Sequence, residues 1–205
     1  LGDIHQVRNA FTDRTSINPK MFNSFVDGTK SGIEMTAVCN ATGLVPQSDG
    51  LSFPPATRFE LAQMCKPKAD GGVLEKAGVT EVTSSVYRDG RDVPHHLALG
   101  TYVVFEGETD YARRCFGEYA MLPDESGKFA ALYRPIHMIG LELGISVASV
   151  ALRGEATGAP TGFRSDVVAT AKRALKAGEI LDGEGGFCVW GKQLPAERSL
   201  GAGLL

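Results

Sequence analysis

Paired cysteines are missing from this sequence. Its four, Cys39, Cys65, Cys115 and Cys188, stand far apart with no metal-site or disulfide spacing, so buried free thiols in a reducing, cytoplasmic setting are expected. An excess of one charge is missing too. Against 21 Lys+Arg stand 24 Asp+Glu, a net charge of -3, and with no basic stripe nucleic acid is not an expected partner. Long apolar runs are absent. The longest, over 136–152, is interrupted by His137 and Glu142, too short and too ionisable for a membrane span, and no charged-then-apolar signal opens the chain. Motifs of nucleotide chemistry are lacking as well. No Gly-x-Gly-x-x-Gly follows a strand signal, Gly-x-Ser-x-Gly does not occur, and the glycine-rich stretch from Thr157 to Arg164 lacks the Gly-Lys-Ser/Thr ending of a P-loop. His95-His96 has no third ligand at metal spacing and reads as a surface turn.

What is present suffices for one large or two small domains: 205 residues, of which 43% are hydrophobic. The 25 glycines are nearly twice the usual share of roughly 7%, and several fall inside helical patterns, which implies close backbone packing. The chain begins at Leu1 and stops in apolar residues, so it reads as a piece of a longer protein. Residues 1–17 are polar and aperiodic. Asn18-Pro19 then sets an N-cap and a first-turn proline for a long helix over 18–40, stopped by Gly43. A short helix is expected over 57–66, strands over 81–88 and 92–97 around Asp89-Gly90, and a third strand over 101–106. A helix from Thr109-Asp110 to 121, a strand over 129–133 and a helix over 135–152 complete the series. This order argues for an α+β fold, a mixed or antiparallel sheet packed against long helices. The glycine-rich stretch near 164 marks a boundary, giving domains over 1–164 and 165–205, the second short and β-rich.

Wound at 100° per residue, the 18–40 helix gathers Lys20, Asn23, Asp27, Lys30 and Glu34 within roughly 80°. Two readings stand: a solvated stripe of ordinary ion pairs, or a catalytic stripe in which Lys30, flanked by Asp27 and Glu34, orients a substrate oxygen while a carboxylate moves protons. Gly28 and Gly32 leave a groove for another backbone. The 135–152 helix is apolar nearly all round and reads as a core helix. Glu142 on it then either pairs with an arginine or caps a neighbouring backbone, or else faces a substrate pocket. Arg134 and His137 at its N-terminus suit a bound anion, though a partly buried histidine is the plainer reading. Glu34 or Asp27 could also clamp a divalent cation, although no dedicated cage is visible.

The run Asn18-Pro19-Lys20-Met21-Phe22-Asn23-Ser24-Phe25-Val26-Asp27-Gly28-Thr29-Lys30-Ser31-Gly32-Ile33-Glu34-Met35 is joined by Tyr133-Arg134-Pro135, Leu141-Glu142-Leu143-Gly144-Ile145-Ser146 and Pro160-Thr161-Gly162-Phe163-Arg164. Together they resemble the homoserine-dehydrogenase-like oxidoreductases that carry a C-terminal SAF domain. Some of those enzymes are reductoisomerase-like, converting 1-deoxy-D-xylulose 5-phosphate to 2-C-methyl-D-erythritol 4-phosphate in isoprenoid-precursor synthesis. Residues 165–205 are similar to the opening of the SAF (β-clip) module. The resemblance implies an N-terminal Rossmann domain outside this chain that holds NADPH or NADH, and a homodimer whose substrate side is formed here. Asp27, Lys30 and Glu34 are then the catalytic group, with Lys20, Asn23, Arg134, His137 and Glu142 toward a small polar or phosphorylated substrate. This chain alone would be inactive. A homoserine dehydrogenase, or a non-enzymatic binding or assembly module built on the SAF-like segment, are the other readings.

Overall fold

The computed structural model describes residues 18–137 and 140–204; the polar stretch expected over 1–17 lies outside them. The fold is α+β with antiparallel sheets. The chain divides into two compact units, one built from residues up to Leu51 with those from Pro160 onward, the other from Ser52–Ala159. That division falls elsewhere than the cut expected at 164, because the C-terminal strands share a unit with the first helices.

The first unit opens with α1 (Pro19–Val26), where the Asn18 side chain accepts from the Lys20 amide at 3.0 Å and proline holds the first helical position. The expected single helix over 18–40 is in fact broken. Gly28 takes a left-handed φ of 86° and α2 (Thr29–Thr42) starts anew, the Thr29 amide donating to Asp27 Oδ1 at 3.0 Å. An Asx-type cap and a glycine free to reverse φ together outcompete continuation of the helix. Gly43, at φ 88°, ends α2 as expected. β4 (Ser165–Ala171) and β5 (Val189–Pro195) form an antiparallel ribbon in register Ser165 to Pro195, and α2 packs on it. A Cβ at Gly32 would meet Gly191 O of β5 at 3.1 Å; the expected approach of another backbone is there. α6 (Ala196–Ala202) closes the unit.

The second unit is a three-stranded antiparallel sheet of β1 (Thr101–Glu106), β2 (Leu122–Pro123) and β3 (Phe129–Arg134), in the order β1-β3-β2. One face buries Ala131 against Leu61 and Ala62 of α3 (Leu61–Met64), with Tyr102, Val104, Leu122 and Tyr133 around them. α4 (Asp110–Glu118) is capped by Thr109 as expected. The strands expected over 81–97 reduce to a turn at Gly90 and two isolated bridges, Val86 to Asp92 and Ser84 to Pro55. The reason is Glu81, whose buried carboxylate collects the amides of Ser52, Phe53 and Val82 and the Ser52 hydroxyl, drawing the backbone off a ladder path.

α5 (Leu143–Arg153) corrects the expected core helix over 135–152 in two respects. It begins at Leu143, with Pro135, Ile136 and His137 outside any helix and Met138 and Ile139 outside the described residues. Its apolar side chains, Leu143, Ile145, Val147, Val150 and Leu152, are exposed in this chain. Apolar composition signals burial without saying in which assembly it occurs.

Candidate functional site

The helix break decides the geometry of the polar stripe. On a continuous helix Asp27, Lys30 and Glu34 would share one face; here Asp27 caps the junction and Lys30 and Glu34 belong to the next helix. The expected connected cluster of the three is not formed. Asp27 is 3% exposed and pairs with Lys172 at 2.6 Å, Lys30 pairs with Glu184 at 2.7 Å, and Glu34 is exposed. Lys20 Nζ donates to Asp182 O at 2.6 Å and the buried Asn23 amide to Gly185 O at 2.8 Å.

Lys20, Asn23, Asp27 and Lys30, but not Glu34, therefore meet one stretch of chain, residues 172–186, and seat it on α1 and α2. The stretch is shaped to fit. Lys172 Nζ also donates to Gly186 O at 2.7 Å, and its amide donates to Cys188 O at 2.9 Å. Asp182 accepts from the Phe187 and Cys188 amides at 2.6 and 3.0 Å, which hold its carboxyl down at about 2. A Cβ at Gly185 would lie 1.7 Å from Lys20 O, so only glycine allows this approach. Beside it, the Arg173 guanidinium and the Lys176 amide hold Glu179 down at about 2, and Arg173 Nη2 lies 3.4 Å from the buried Cys188 sulfur.

In the second unit, Arg134 is ion-paired with Glu142 and His137 is exposed. The anion site expected of Arg134 and His137 at a helix N-terminus does not form, because no helix begins there and a carboxylate already holds the guanidinium. Glu142 precedes α5 and is half-buried rather than enclosed in a core; of its expected fates, the arginine partner is the one observed.

Sequence reasoning missed Lys172, Asp182 and Glu184. They become partners of α1 and α2 only through contacts such as Asp27 to Lys172, 145 positions apart, beyond any periodicity. The signal that was present is the acid-and-glycine run Asp182-Gly183-Glu184-Gly185-Gly186, complementary in charge to a lysine-bearing stripe.

Asp27 and Glu34 do not fit a divalent cation. Lys172 and the Thr29 amide already take both Asp27 oxygens, and among the described residues no three His, Cys, Asp or Glu side chains converge. Among the described residues the named strand pairs are all antiparallel, whereas a pyrophosphate cradle is built on a parallel βαβ unit with its glycine turn. What the α1–α2 junction offers chemically is a dehydrated carboxylate–ammonium pair beside a half-exposed lysine. Such a set holds charge and hydrogen-bond donors at fixed positions.

Among the described residues no helix is long and apolar enough to cross a membrane, and all four cysteines are free. No curated protein matches the sequence. A family match, described as oxidoreductase DRL, catalytic domain, covers residues 4–143, a stretch that holds α1 to α4 and the three-stranded sheet and stops before β4. With well over half of its length inside that match, the chain belongs to the family of the oxidoreductase DRL catalytic domain.

Proposed function

We propose that this chain supplies the substrate side of an NAD(P)H-dependent oxidoreductase acting on a small polar, phosphorylated substrate. Its chemistry is reductoisomerase-like, from 1-deoxy-D-xylulose 5-phosphate to 2-C-methyl-D-erythritol 4-phosphate. The observation that carries the reading is the position of the polar α1–α2 stripe inside the matched oxidoreductase catalytic domain. Lys30, half-exposed at 32%, is the group placed to donate to a substrate oxygen. Asp27, neutralised by Lys172, fixes the field beside it, and Glu34 on the same helix is the exposed carboxylate for proton movement. Lys20 and Asn23 flank the stripe on α1. The dinucleotide belongs to a domain outside this sequence, so this chain alone is inactive. A homodimer fits the exposed apolar side of α5, and four free thiols fit the cytoplasm.

One observation favours a second reading. Lys20, Asn23, Asp27 and Lys30 all bond to residues 172–186, so the stripe could serve as the seat of an SAF-like binding module with no part in turnover. NADPH consumption by the protein carrying its dinucleotide domain separates the readings. The first requires deoxyxylulose phosphate to be reduced, with methylerythritol phosphate found by mass spectrometry. NADPH oxidation with aspartate semialdehyde alone would make it a homoserine dehydrogenase, and none with either would favour the module.

A further inference from the structure

Among the described residues, half-buried arginines have hydrogen-bond partners, with one exception. Arg113 donates to Gly107 O at 2.7 Å and faces Asp110, and Arg164 donates to Asn40 O and Thr161 Oγ1. Arg58 is different. Its Nε is buried without any hydrogen-bond partner, and among the described residues its guanidinium meets no carboxylate. Its surroundings are aromatic: the guanidinium carbon stands 4.9 Å from the Phe59 ring centroid and 5.7 Å from that of Tyr133. The Arg58 amide donates to His95 O at 3.0 Å, and the His95 imidazole meets the Phe59 ring edge-on at 5.4 Å. The adjacent acid, Glu60, turns its carboxylate to the Thr57 amide instead.

An arginine is always charged and carries five donors in a planar fork. Rings over the guanidinium hold it by cation–π attraction but accept none of the in-plane hydrogen bonds. A desolvated donor left without an acceptor is rare enough in folded proteins to call for a missing partner. An anion with oxygens set for a fork is such a partner. It must also arrive from solvent, since Phe59 and His95 are exposed.

We propose that Arg58, flanked by Phe59, Tyr133 and His95, is the binding site for the phosphate group of a small ligand. The guanidinium edge takes two phosphate oxygens and the His95 imidazole stands beside it as a further donor. The exposed Phe59 ring covers the carbon chain that bears the phosphate. In naming a phosphorylated substrate the proposal rests on the reading above, and it replaces the anion site that Arg134, held by Glu142, does not provide.

Calorimetric titration of this chain with inorganic phosphate at constant ionic strength tests the site apart from any turnover. Saturable binding is expected, weakened by at least about tenfold in Arg58→Gln and partly recovered in Arg58→Lys, which keeps the charge and loses the fork. Thermal melting by circular dichroism shows that each variant is folded; if Arg58→Gln is not, the drop in Arg58→Lys carries the comparison. Absence of saturable phosphate binding, or equal affinity in the folded variants, overturns the proposal. Phosphate binding that depends on Arg58, in an enzyme that turns over only an unphosphorylated substrate, would refute the substrate reading and leave the site standing.

Discussion

Among the most completely buried side chains, the first unit holds Ser24, Cys39, Ser165, Gln193 and Ser199, four of the five polar, and the second holds Leu61 and Val93 beside the Asp124 carboxylate. In the first, Gln193 Nε2 donates to Ser165 Oγ at 3.2 Å, Ser165 Oγ meets Thr36 at 2.9 Å, and Ser199 donates to Asp166 at 2.6 Å. The second packs a small sheet on α3 and gathers its loops around two carboxylates, Glu81 and Asp124. Apolar contact tolerates repacking, whereas a hydrogen-bonded interior loses free energy with every partner removed. The unit that carries the polar stripe is thus the one whose interior fixes geometry most narrowly, and a substrate side needs that property.

Each unit nonetheless holds a buried ion pair among its described residues, and the largest effects are expected there. Asp124 and Lys66 meet at 2.7 Å with side chains 0% and 5% exposed. Asp124→Ala strands the ammonium, and urea denaturation should show a loss of about 3–5 kcal/mol. Lys172→Ala strands Asp27 and should fall in the same range. A loss below about 1 kcal/mol for Lys172→Ala would break the comparison by showing that the 172–186 stretch is not held through Asp27.

Close approach comes next. Gly185→Ala combines a positive φ of 70° with a clash on Lys20 O, for an expected loss of about 2–3 kcal/mol. Gly178, at φ 80° with open space around it, isolates the backbone contribution, and its alanine variant should lose only about 1 kcal/mol. Equal losses would mean that Lys20 yields and that the seat is loose.

Acid gives a smaller, signed effect. Burial alone would raise the Asp124 carboxyl, but Lys66, the Ser126 hydroxyl and the Phe129 amide together bring it down to about 2. A carboxyl lowered by folding stabilises above its unfolded value of 3.8, and that contribution, about 2 kcal/mol, disappears as pH falls through about 2. Stability against pH should therefore be flat above about 5 from this group and decline below about 4, and Asp124→Asn should remove that part of the slope.

Local chemistry in the sequence carried over best. Asn18-Pro19 starts α1, Gly43 ends α2, Thr109 caps α4, and β1 spans the residues its β-branched and aromatic content marked. Each of these signals acts within a turn or two of its own position. The failures are tertiary. Nothing local shows that Glu81 will gather the amides of Ser52 and Phe53, or that α5 will leave its apolar side uncovered. Of the candidate site, the residue types of the stripe were legible, but their partners were not. Arg58 carries no motif; only the absence of a partner in three dimensions distinguishes it.

Lys30 separates the central claim from its rival because its stabilising role is small. Its pair with Glu184 is exposed on both sides, at 32% and 41%, so Lys30→Ala should change stability by only about 0.5 kcal/mol. The direct test is turnover of that variant in the protein carrying its dinucleotide domain. A substrate-side role predicts a fall in kcat of at least about 100-fold, or about 2.7 kcal/mol of transition-state stabilisation, in a protein that melts like the wild type. Turnover within about threefold of wild type would contradict it and leave the stripe as the seat of residues 172–186 alone.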